Sequence, residues 1–332
     1  MGQNKLLVVL FLMILSSTTL GKWSAGKAEK NLAFIVEKST VTAKAKQYFG
    51  QNGVNAVNYV YEFLDDFVFV SEEELVKNLS FLMLLSGAIL LAFLTLTNFV
   101  VGYGRHSTRA AWVPMMWSNR ASWFLQEIPS FLFALLALYR LKNYDQVGLS
   151  GWVAWLMFTV HYFQRSCIYT YLMKSGSKGV PVHIFVFGFV FCSWNGYIQS
   201  QYHLHYGHYD SWNPDTALNV LRGVGVALYV IGFIINVDSD RRLRGLRKNS
   251  SDSSYKIPYG GLFEFISCPN YFGENVEWFG YALFAQSLPA WAFAFFTFAN
   301  TFPRAIQNHK WYLNKFKEDY PRDRKIFMPF IY

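Results

Sequence analysis

A carboxylate lies within an apolar stretch of this chain. Glu127 belongs to the segment RASWFLQEIPSFLFALLALYR, which is otherwise apolar enough to lie inside a membrane. An ionisable side chain is costly in hydrocarbon, so one found there usually serves function or pairs with a partner. Glu127 is therefore a candidate functional residue, with an interfacial position or a structural ion pair as the alternatives.

A second group of polar residues lies near the ends of two later apolar segments. Asn236 and Asp240 are four residues apart, and Glu274 and Glu277 follow Asn270 by four and seven residues. Residues at these spacings share one face of a helix. A solvated helix end does not explain two carboxylates that run into FGYALFAQSLPAWAFAFF. We therefore predict that these side chains have internal partners.

The composition predicts that the elements carrying these residues are membrane helices. Of the 332 residues, 53% are hydrophobic, 19% are aromatic and only 15% are charged, which is fewer charges than a soluble globular domain carries. Apolar segments recur at about the length that crosses a hydrocarbon core. We predict an all-α integral membrane protein, a bundle of seven transmembrane helices: 79–101, 122–139, 151–173, 182–202, 218–236, and two short helices within 275–301 that break near Pro289.

The basic residues predict the orientation of this bundle. Lys and Arg are gathered in the connections 102–121, 174–181 and 237–271 and in the C-terminal tail, and they alternate with connections that hold few. By the positive-inside rule these four regions are cytosolic, and the residues before 79 are lumenal. The same rule accounts for the net charge of +9, so no nucleic-acid partner is predicted.

The N-terminus has the order of a secretory signal peptide. Residues 1–21 contain Lys5, then LLVVLFLMIL, then the small and polar string SSTTLG, which is the charged, apolar and small-residue order of such signals. An uncleaved membrane anchor is the alternative. We predict that 22–78 form a short lumenal extension and that 79–332 form the helical domain.

No metal site is predicted. The three Cys residues show no CxxC spacing, so buried or unpaired thiols are expected. His203, His205 and His208 are the one cluster with ligand-like side chains. This cluster lies opposite the basic loops, and we expect it to lack the intramembrane partners that coordination needs. The chain also lacks a G-x-G-x-x-G fingerprint, which excludes a Rossmann domain.

Seven sequence blocks occur in order between about residues 99 and 332. They are YGRHS, WFLQEIPSF, HYFQRSCIY, FCSWNGYIQS, INVDSDRRLRGLRK, YKIPYGGLFEFISCPNYFGENVEWFGYAL and FAFFTFANTFPRAIQNHKWYLNKFKEDYPRDRKIFMPFIY. Together they resemble the steroid 5α-reductase (3-oxo-5α-steroid 4-dehydrogenase) family. The C-terminal blocks are shared more loosely with enoyl-CoA and polyprenol reductases, whereas the QE and HYFQR blocks are more selective.

The resemblance implies a multi-pass enzyme of the endoplasmic reticulum membrane with a cytosolic C-terminus and a seven-helix catalytic domain over 79–332. It implies that NADPH reduces the 4,5 double bond of a 3-oxo-Δ4 steroid or another lipid enone. A trans-2-enoyl-CoA or polyprenol reductase is an alternative within the superfamily. The span count alone also fits a seven-helix receptor or transporter, although such proteins do not need amides, carboxylates and Arg together at cytosolic helix ends.

The resemblance assigns the substrate site. Residues matching Glu127 and Tyr162 bind the 3-oxo group in the family, and residues matching Trp123, Gln126 and Tyr103 contact the steroid. Hydride arriving at the β-carbon of an enone drives negative charge onto the ketone oxygen, so donors must already be in place there. Glu127, kept protonated by an apolar setting, and the Tyr162 hydroxyl can supply two. The α-carbon receives its proton from Tyr162 or from water.

The resemblance also assigns eleven residues to NADPH. Amide and carboxylate groups can bind its carboxamide and ribose hydroxyls, and Arg and Lys match phosphate oxygens through charge-assisted hydrogen bonds. The residues are Arg165, Lys178, Asn236, Asp240, Arg247, Tyr255, Asn270, Glu274, Arg304, Asn308 and Tyr312.

Overall fold

The structure is a computed structural model that describes most of the chain from residue 70 onward. The described residues are 43, 46, 47, 50–55, 58, 59, 70–97, 99–102, 106, 114, 115, 118–173, 180–207, 209, 216–246 and 255–332. The chain divides into two compact units, Met1–Asn78 and Leu79–Tyr332. The N-terminal signal or anchor expected over 1–21 lies outside the described residues and stays a prediction.

From residue 72 onward the described residues form eight α-helices and no β-strand. They are α1 (Glu72–Thr97), α2 (Asn119–Arg140), α3 (Leu149–Phe163), α4 (Thr170–Leu172), α5 (Val182–Gln201), α6 (Thr216–Gly245), α7 (Pro269–Ala285) and α8 (Leu288–Phe316). Two π-helical segments, Gln164–Tyr169 and Tyr202–Tyr206, continue α3 and α5. The predicted all-α class is confirmed for this part of the chain.

The structure supports the predicted membrane spans only in part. Among the helices described, three are long and apolar enough to cross a membrane: α1, α2 and α6. The α-helical segments number eight rather than seven because a π-helical segment divides the span expected over 151–173 into α3 and α4. Helix α7 has 17 residues, fewer than the roughly 20 that cross a hydrocarbon core. Helix α5 carries buried polar side chains such as Gln199, which lower its mean hydropathy.

The helix that carries Glu127 begins at a side-chain cap. Ser118 has an extended backbone, and its hydroxyl accepts a hydrogen bond from the Ala121 amide at 3.3 Å. This arrangement satisfies one of the amides that a helix start leaves without a partner. Pro129 lies within α2, two residues after Glu127. A proline there removes one backbone hydrogen bond in the turn that carries the carboxylate.

The predicted break near Pro289 is confirmed. Gln286 ends α7 in the left-handed conformation with a φ of 46°, and the Ser287 hydroxyl caps α8 by accepting from the Ala290 amide at 3.4 Å. Pro289 lies in the first turn of α8, where its missing N–H leaves no helical bond unmade. The predicted bounds were too narrow, because α7 begins at Pro269 and α8 continues to Phe316.

Glycines bring α6 and α7 into direct backbone contact. A Cβ added to Gly225 would lie 2.7 Å from the Gly280 carbonyl oxygen, and one added to Gly273 would lie 2.7 Å from the Asn236 amide nitrogen. Helices in membranes commonly meet through such small residues. The contact places Asn236 beside Asn270, whose carbonyl oxygen accepts a hydrogen bond from Asn236 Nδ2 at 3.0 Å.

Candidate active site

Tyr162 lies in the last turn of α3 and is buried, with 3% of its surface exposed. Its hydroxyl oxygen accepts a hydrogen bond from Asn195 Nδ2 of α5 at 3.1 Å. The ring is 4.7 Å from that of Phe158 and 6.2 Å from that of Trp278, measured between centroids. Apolar rings therefore surround the phenol, and a polar contact holds its oxygen.

Glu127 lies on α2, within electrostatic range of the Tyr162 hydroxyl. Its side chain is partly buried, and Cys192 Sγ donates to its Oε2 at 3.6 Å. Trp123 precedes it by one helical turn, and Gln126 packs against Gly188 of α5, where an added Cβ would lie 2.5 Å from Gln126 Cγ. The structure thus brings together Glu127 and Tyr162, the two predicted catalytic residues.

Arg165 and Asp240 were both predicted to bind the cofactor, and the structure joins them to each other. Arg165 follows Tyr162 in the π-helical segment, and its Nη1 donates to Asp240 Oδ2 of α6 at 2.7 Å. The Arg165 guanidinium also lies 4.4 Å from the ring centroid of Tyr169. Glu274 and Glu127 are within electrostatic range of Arg165. This ion pair connects the Glu127 region to α6 and α7.

A cavity of about 260 Å³ lies among α6, α7, α8 and the segment that precedes α7. Five of the predicted cofactor residues line it: Tyr255, Asn270, Arg304, Asn308 and Tyr312. His106 lines it as well, and its Nε2 lies 3.1 Å from Asn308 Oδ1. Two predicted residues lie next to this group, since Asn236 is bonded to Asn270 and Glu274 is on the following turn of α7.

The donor set of the cavity fits part of a nicotinamide dinucleotide. The Asn270 and Asn308 amides can bind ribose or carboxamide groups, and the Arg304 guanidinium can bind phosphate. Small-molecule sites usually measure about 300–1,000 Å³, so this cavity suits one nucleoside half and its phosphate. Three other predicted site residues, Tyr103, Lys178 and Arg247, lie outside the described residues.

One buried ion pair joins a residue that the sequence did not single out, His161, to Glu277. His161 Nδ1 on α3 lies 2.6 Å from Glu277 Oε1 on α7, and both side chains are almost fully buried. The expectation that Glu277 has an internal partner is therefore confirmed. Its identity escaped the sequence because the two residues are 116 positions apart. The adjacency of His161 to Tyr162 was the available signal.

The expectation that the histidine cluster lacks intramembrane partners was wrong for His203. Its Nε2 lies 2.6 Å from the Tyr281 hydroxyl of α7, and its Nδ1 contacts the Tyr209 hydroxyl. A π-helical segment after α5 turns this side chain inward, which a sequence reading based on α-helical spacing does not anticipate. Within the described part of the chain, no group of three or more His, Cys, Asp or Glu residues is placed to hold a metal ion.

The arrangement suits the reduction of a polarised double bond. Tyr162 and Glu127 lie within electrostatic range of each other, and the cavity presents amide and cationic groups to a large polar ligand. Donors placed before reaction stabilise an oxygen that becomes negative. The three cysteines, Cys167, Cys192 and Cys268, are free thiols as expected.

Comparison with known proteins gives a consistent result. A family model described as 3-oxo-5-alpha-steroid 4-dehydrogenase matches residues 178–332. The 3-oxo-5-alpha-steroid 4-dehydrogenase 1 of Bos taurus is 43% identical over 266 residues, which cover 79% of this chain and 99% of the relative. The protein of that name from Homo sapiens is 41% identical, with coverage of 79% and 98%. The Steroid 5-alpha-reductase DET2 of Gossypium hirsutum is 38% identical, with coverage of 69% and 88%.

Proposed function

Because the chain belongs to the 3-oxo-5-alpha-steroid 4-dehydrogenase family, whose members are oxidoreductases acting on CH–CH groups, we propose that it reduces the 4,5 double bond of a 3-oxo-Δ4 steroid with NADPH. The observation that carries this proposal is the pair of polar groups, Tyr162 and Glu127, that lie within electrostatic range of each other beside apolar rings. The names of the relatives favour a steroid over an enoyl thioester or a polyprenol.

Bound NADPH would supply a hydride to the β-carbon of the enone. The electron pair of the double bond then moves toward the carbonyl, and negative charge collects on the 3-oxo oxygen. Tyr162 and the protonated form of Glu127 each donate a hydrogen bond to that oxygen. One proton from Tyr162 or from water completes the reaction at the α-carbon. The chain's own contribution is therefore to hold two donors at the oxygen before charge develops.

The cavity residues would hold the nucleotide. Asn270 and Asn308 present amide groups to ribose and carboxamide, and Arg304 presents a guanidinium to phosphate. Asn236 supports the turn of α7 that carries Asn270 through their 3.0 Å hydrogen bond. Arg165 is paired with Asp240 and lies within electrostatic range of Glu127 and Glu274. Either partner can exchange its intramolecular bond for one to the cofactor.

We further propose seven membrane spans, an endoplasmic reticulum location, a lumenal segment before residue 79 and a cytosolic C-terminus. The alternation of basic connections supports this orientation. Protease added to sealed microsomes should remove a tag at the C-terminus and spare one inserted after Gly26. The opposite pattern would contradict the orientation.

Steroid-dependent loss of NADPH absorbance, in membranes that contain the protein, tests the reaction. We expect turnover with a 3-oxo-Δ4 steroid and none with the corresponding 5α-reduced steroid, which has no double bond to reduce. Enoyl-CoA and polyprenol substrates are measured in the same membranes. Faster turnover with either of these would replace the steroid assignment while keeping the reductase chemistry. If none of these substrates causes NADPH to be consumed, the proposed function is rejected.

A further inference from the structure

A buried chain of hydrogen bonds extends from Tyr162 toward the other end of the bundle. Asn195 Nδ2 donates to the Tyr162 oxygen at 3.1 Å, and Gln199 Nε2 donates to Asn195 Oδ1 at 3.2 Å. Tyr281 donates to Gln199 Oε1 at 3.0 Å and lies 2.6 Å from His203 Nε2. The four side chains from Asn195 to His203 are at most 1% exposed. They therefore have no access to water and depend on one another.

One backbone carbonyl fixes the direction of the chain. Gln199 Nε2 donates to the Pro289 carbonyl oxygen at 2.8 Å, and a carbonyl oxygen can only accept. The Gln199 nitrogen must face this carbonyl, so its Oε1 faces Tyr281 and must receive the Tyr281 proton. The second hydrogen on Gln199 Nε2 requires an acceptor in Asn195, so Asn195 turns its oxygen toward Gln199. The Asn195 nitrogen then faces Tyr162.

The same reasoning assigns the tautomer of His203. Tyr281 has one proton and gives it to Gln199, so its oxygen must accept from His203 Nε2. Both ring nitrogens of His203 contact phenol oxygens, those of Tyr281 and Tyr209. A buried imidazolium without an anionic partner is costly. His203 is therefore neutral, with its proton on Nε2 and Nδ1 accepting from Tyr209.

The donor-to-acceptor order of these hydrogen bonds also determines where the Tyr162 proton lies. The Tyr162 oxygen accepts from Asn195, so the hydroxyl proton must be donated to the other side. The Ser130 side chain lies close to the Tyr162 hydroxyl, and it gives its own proton to the Cys192 carbonyl oxygen at 2.7 Å. Its oxygen can therefore serve as the acceptor for the Tyr162 proton. A ketone oxygen, which also only accepts, can replace it.

We propose that Asn195, Gln199, Tyr281 and His203 form a positioning relay that holds Tyr162 as a hydrogen-bond donor to the substrate carbonyl. The inference rests on the proposed function, because it assigns the relay to the reaction of that site. Aligned hydrogen bonds polarise one another, so a donor to the Tyr162 oxygen also strengthens the bond that Tyr162 makes. His203 closes the relay at its far end and acts on the reaction without touching the substrate.

The relay predicts effects that decrease with distance from Tyr162. Asn195→Leu keeps a similar shape and removes the donor, and we expect it to lower kcat about tenfold, the value of one hydrogen bond. His203→Asn places its amide near the Nδ1 position, too short to reach Tyr281, and should lower kcat about threefold. His203→Gln can place a nitrogen near Nε2 and should stay within about twofold of the wild type. The dissociation constant of NADPH should not change in any of them.

A double-mutant cycle with Tyr162→Phe decides whether the relay acts through Tyr162. Tyr162→Phe alone should lower kcat by about 10²–10³. In that background Asn195→Leu and His203→Asn should cause no further loss, because no hydroxyl remains to be oriented. If each substitution instead lowers kcat by the same factor in both backgrounds, its role is structural and the inference is wrong.

The control is Ser193→Ala on the same helix. Ser193 is 1% exposed, and among the described residues its hydroxyl bonds only its own helix, at the Phe189 carbonyl oxygen, so kcat should not change. Rates are expressed per NADPH-binding molecule. If Asn195→Leu does not fold, the comparison of His203→Asn with His203→Gln decides whether the relay affects turnover. Full turnover in Tyr162→Phe would reject the proposed role of Tyr162 together with the relay. A large loss in Tyr162→Phe with none in Asn195→Leu or His203→Asn would reject the relay alone.

Discussion

The Tyr162 region and the cavity near Asn270 differ in how their polar side chains are arranged. Around Tyr162 the polar side chains are buried and bonded to one another in a fixed direction. In the cavity, the side chains of Asn270 and Arg304 line a space of about 260 Å³. The network around Tyr162 leaves one hydroxyl proton for a ligand, whereas the cavity presents several polar side chains to a ligand.

The two regions therefore have different roles: one fixes the orientation of the Tyr162 hydroxyl, and the other contributes to the affinity for NADPH. A buried polar group that loses its partner keeps the full cost of desolvation, so a completed network holds one geometry. Groups that line a cavity exchange water for a ligand and so contribute to its binding. Changes near Tyr162 should therefore alter turnover, whereas changes in the cavity should alter the binding of NADPH.

The largest expected effect comes from Glu127. Glu127→Ala removes one of the two donors to the 3-oxo oxygen and should lower turnover by about 10²–10³. Glu127→Gln keeps a donor of nearly the same shape and should retain more activity than Glu127→Ala. Both should bind NADPH as the wild type does. Stopped-flow measurement of single turnover with saturating NADPH gives the rate of the chemical step.

If both Glu127 variants turn over the steroid at the wild-type rate, this carboxylate has no part in the reaction. A loss of protein from the membrane, with normal turnover in the folded fraction, would assign Glu127 to structure. Either outcome would remove the proposed contrast with the cavity.

A smaller effect is expected in the cavity, on the binding of NADPH. Arg304→Ala should weaken NADPH binding by more than tenfold, because one charge-assisted hydrogen bond contributes about 1.5–3 kcal/mol. The KM for the steroid should stay constant. Lys310→Ala on the same helix is the control, because Lys310 is exposed and does not line the cavity. Titration of intrinsic Trp fluorescence with NADPH measures the constant. A larger change in the steroid KM than in NADPH binding would contradict the division.

The smallest effect concerns pH. His309 Nδ1 lies 2.6 Å from the Ser267 hydroxyl next to the cavity, and burial lowers the pKa of His309 below its ordinary value of 6.5. The folded protein thus favours neutral His309, and its stability should fall as the pH drops below about 6.5, where the unfolded chain binds the proton more readily. We expect Tm to fall by about 1–3 °C. His309→Gln should lose this part of the pH dependence, and an unchanged profile would contradict the assignment.

The sequence predicted local features better than long-range partners. Spacing along α7 indicated that Glu277 has an internal partner, and Pro289 indicated the break before α8. Neither pattern could identify His161 as the partner, because the pairing depends on how α3 packs on α7. The resemblance assigned Arg165 and Asp240 to the cofactor separately. Their ion pair follows from the placement of a π-helical segment opposite α6.

The count of spans shows a second limit. A hydropathy pattern assumes that a membrane helix is apolar on all sides, as α1 nearly is. Helix α5 instead carries Asn195 and Gln199 on a face that meets other helices, and their bonds to those helices compensate the cost of burial. Amino-acid composition does not show which polar side chains are hydrogen-bonded inside the protein. A helix with such side chains therefore has a lower mean hydropathy than a helix that is apolar on all sides.

The glycine contact between α6 and α7 bears on how this sequence tolerates mutation. Gly225, Gly273 and Gly280 contribute no functional group, yet a single added methyl group would meet backbone atoms of the facing helix. Relief would require the two helices to separate, which would carry Asn236 away from Asn270. Substitution of these glycines should therefore reduce activity as readily as substitution of the residues proposed to bind steroid and cofactor, so more positions are sensitive to mutation than those proposed to take part in the reaction.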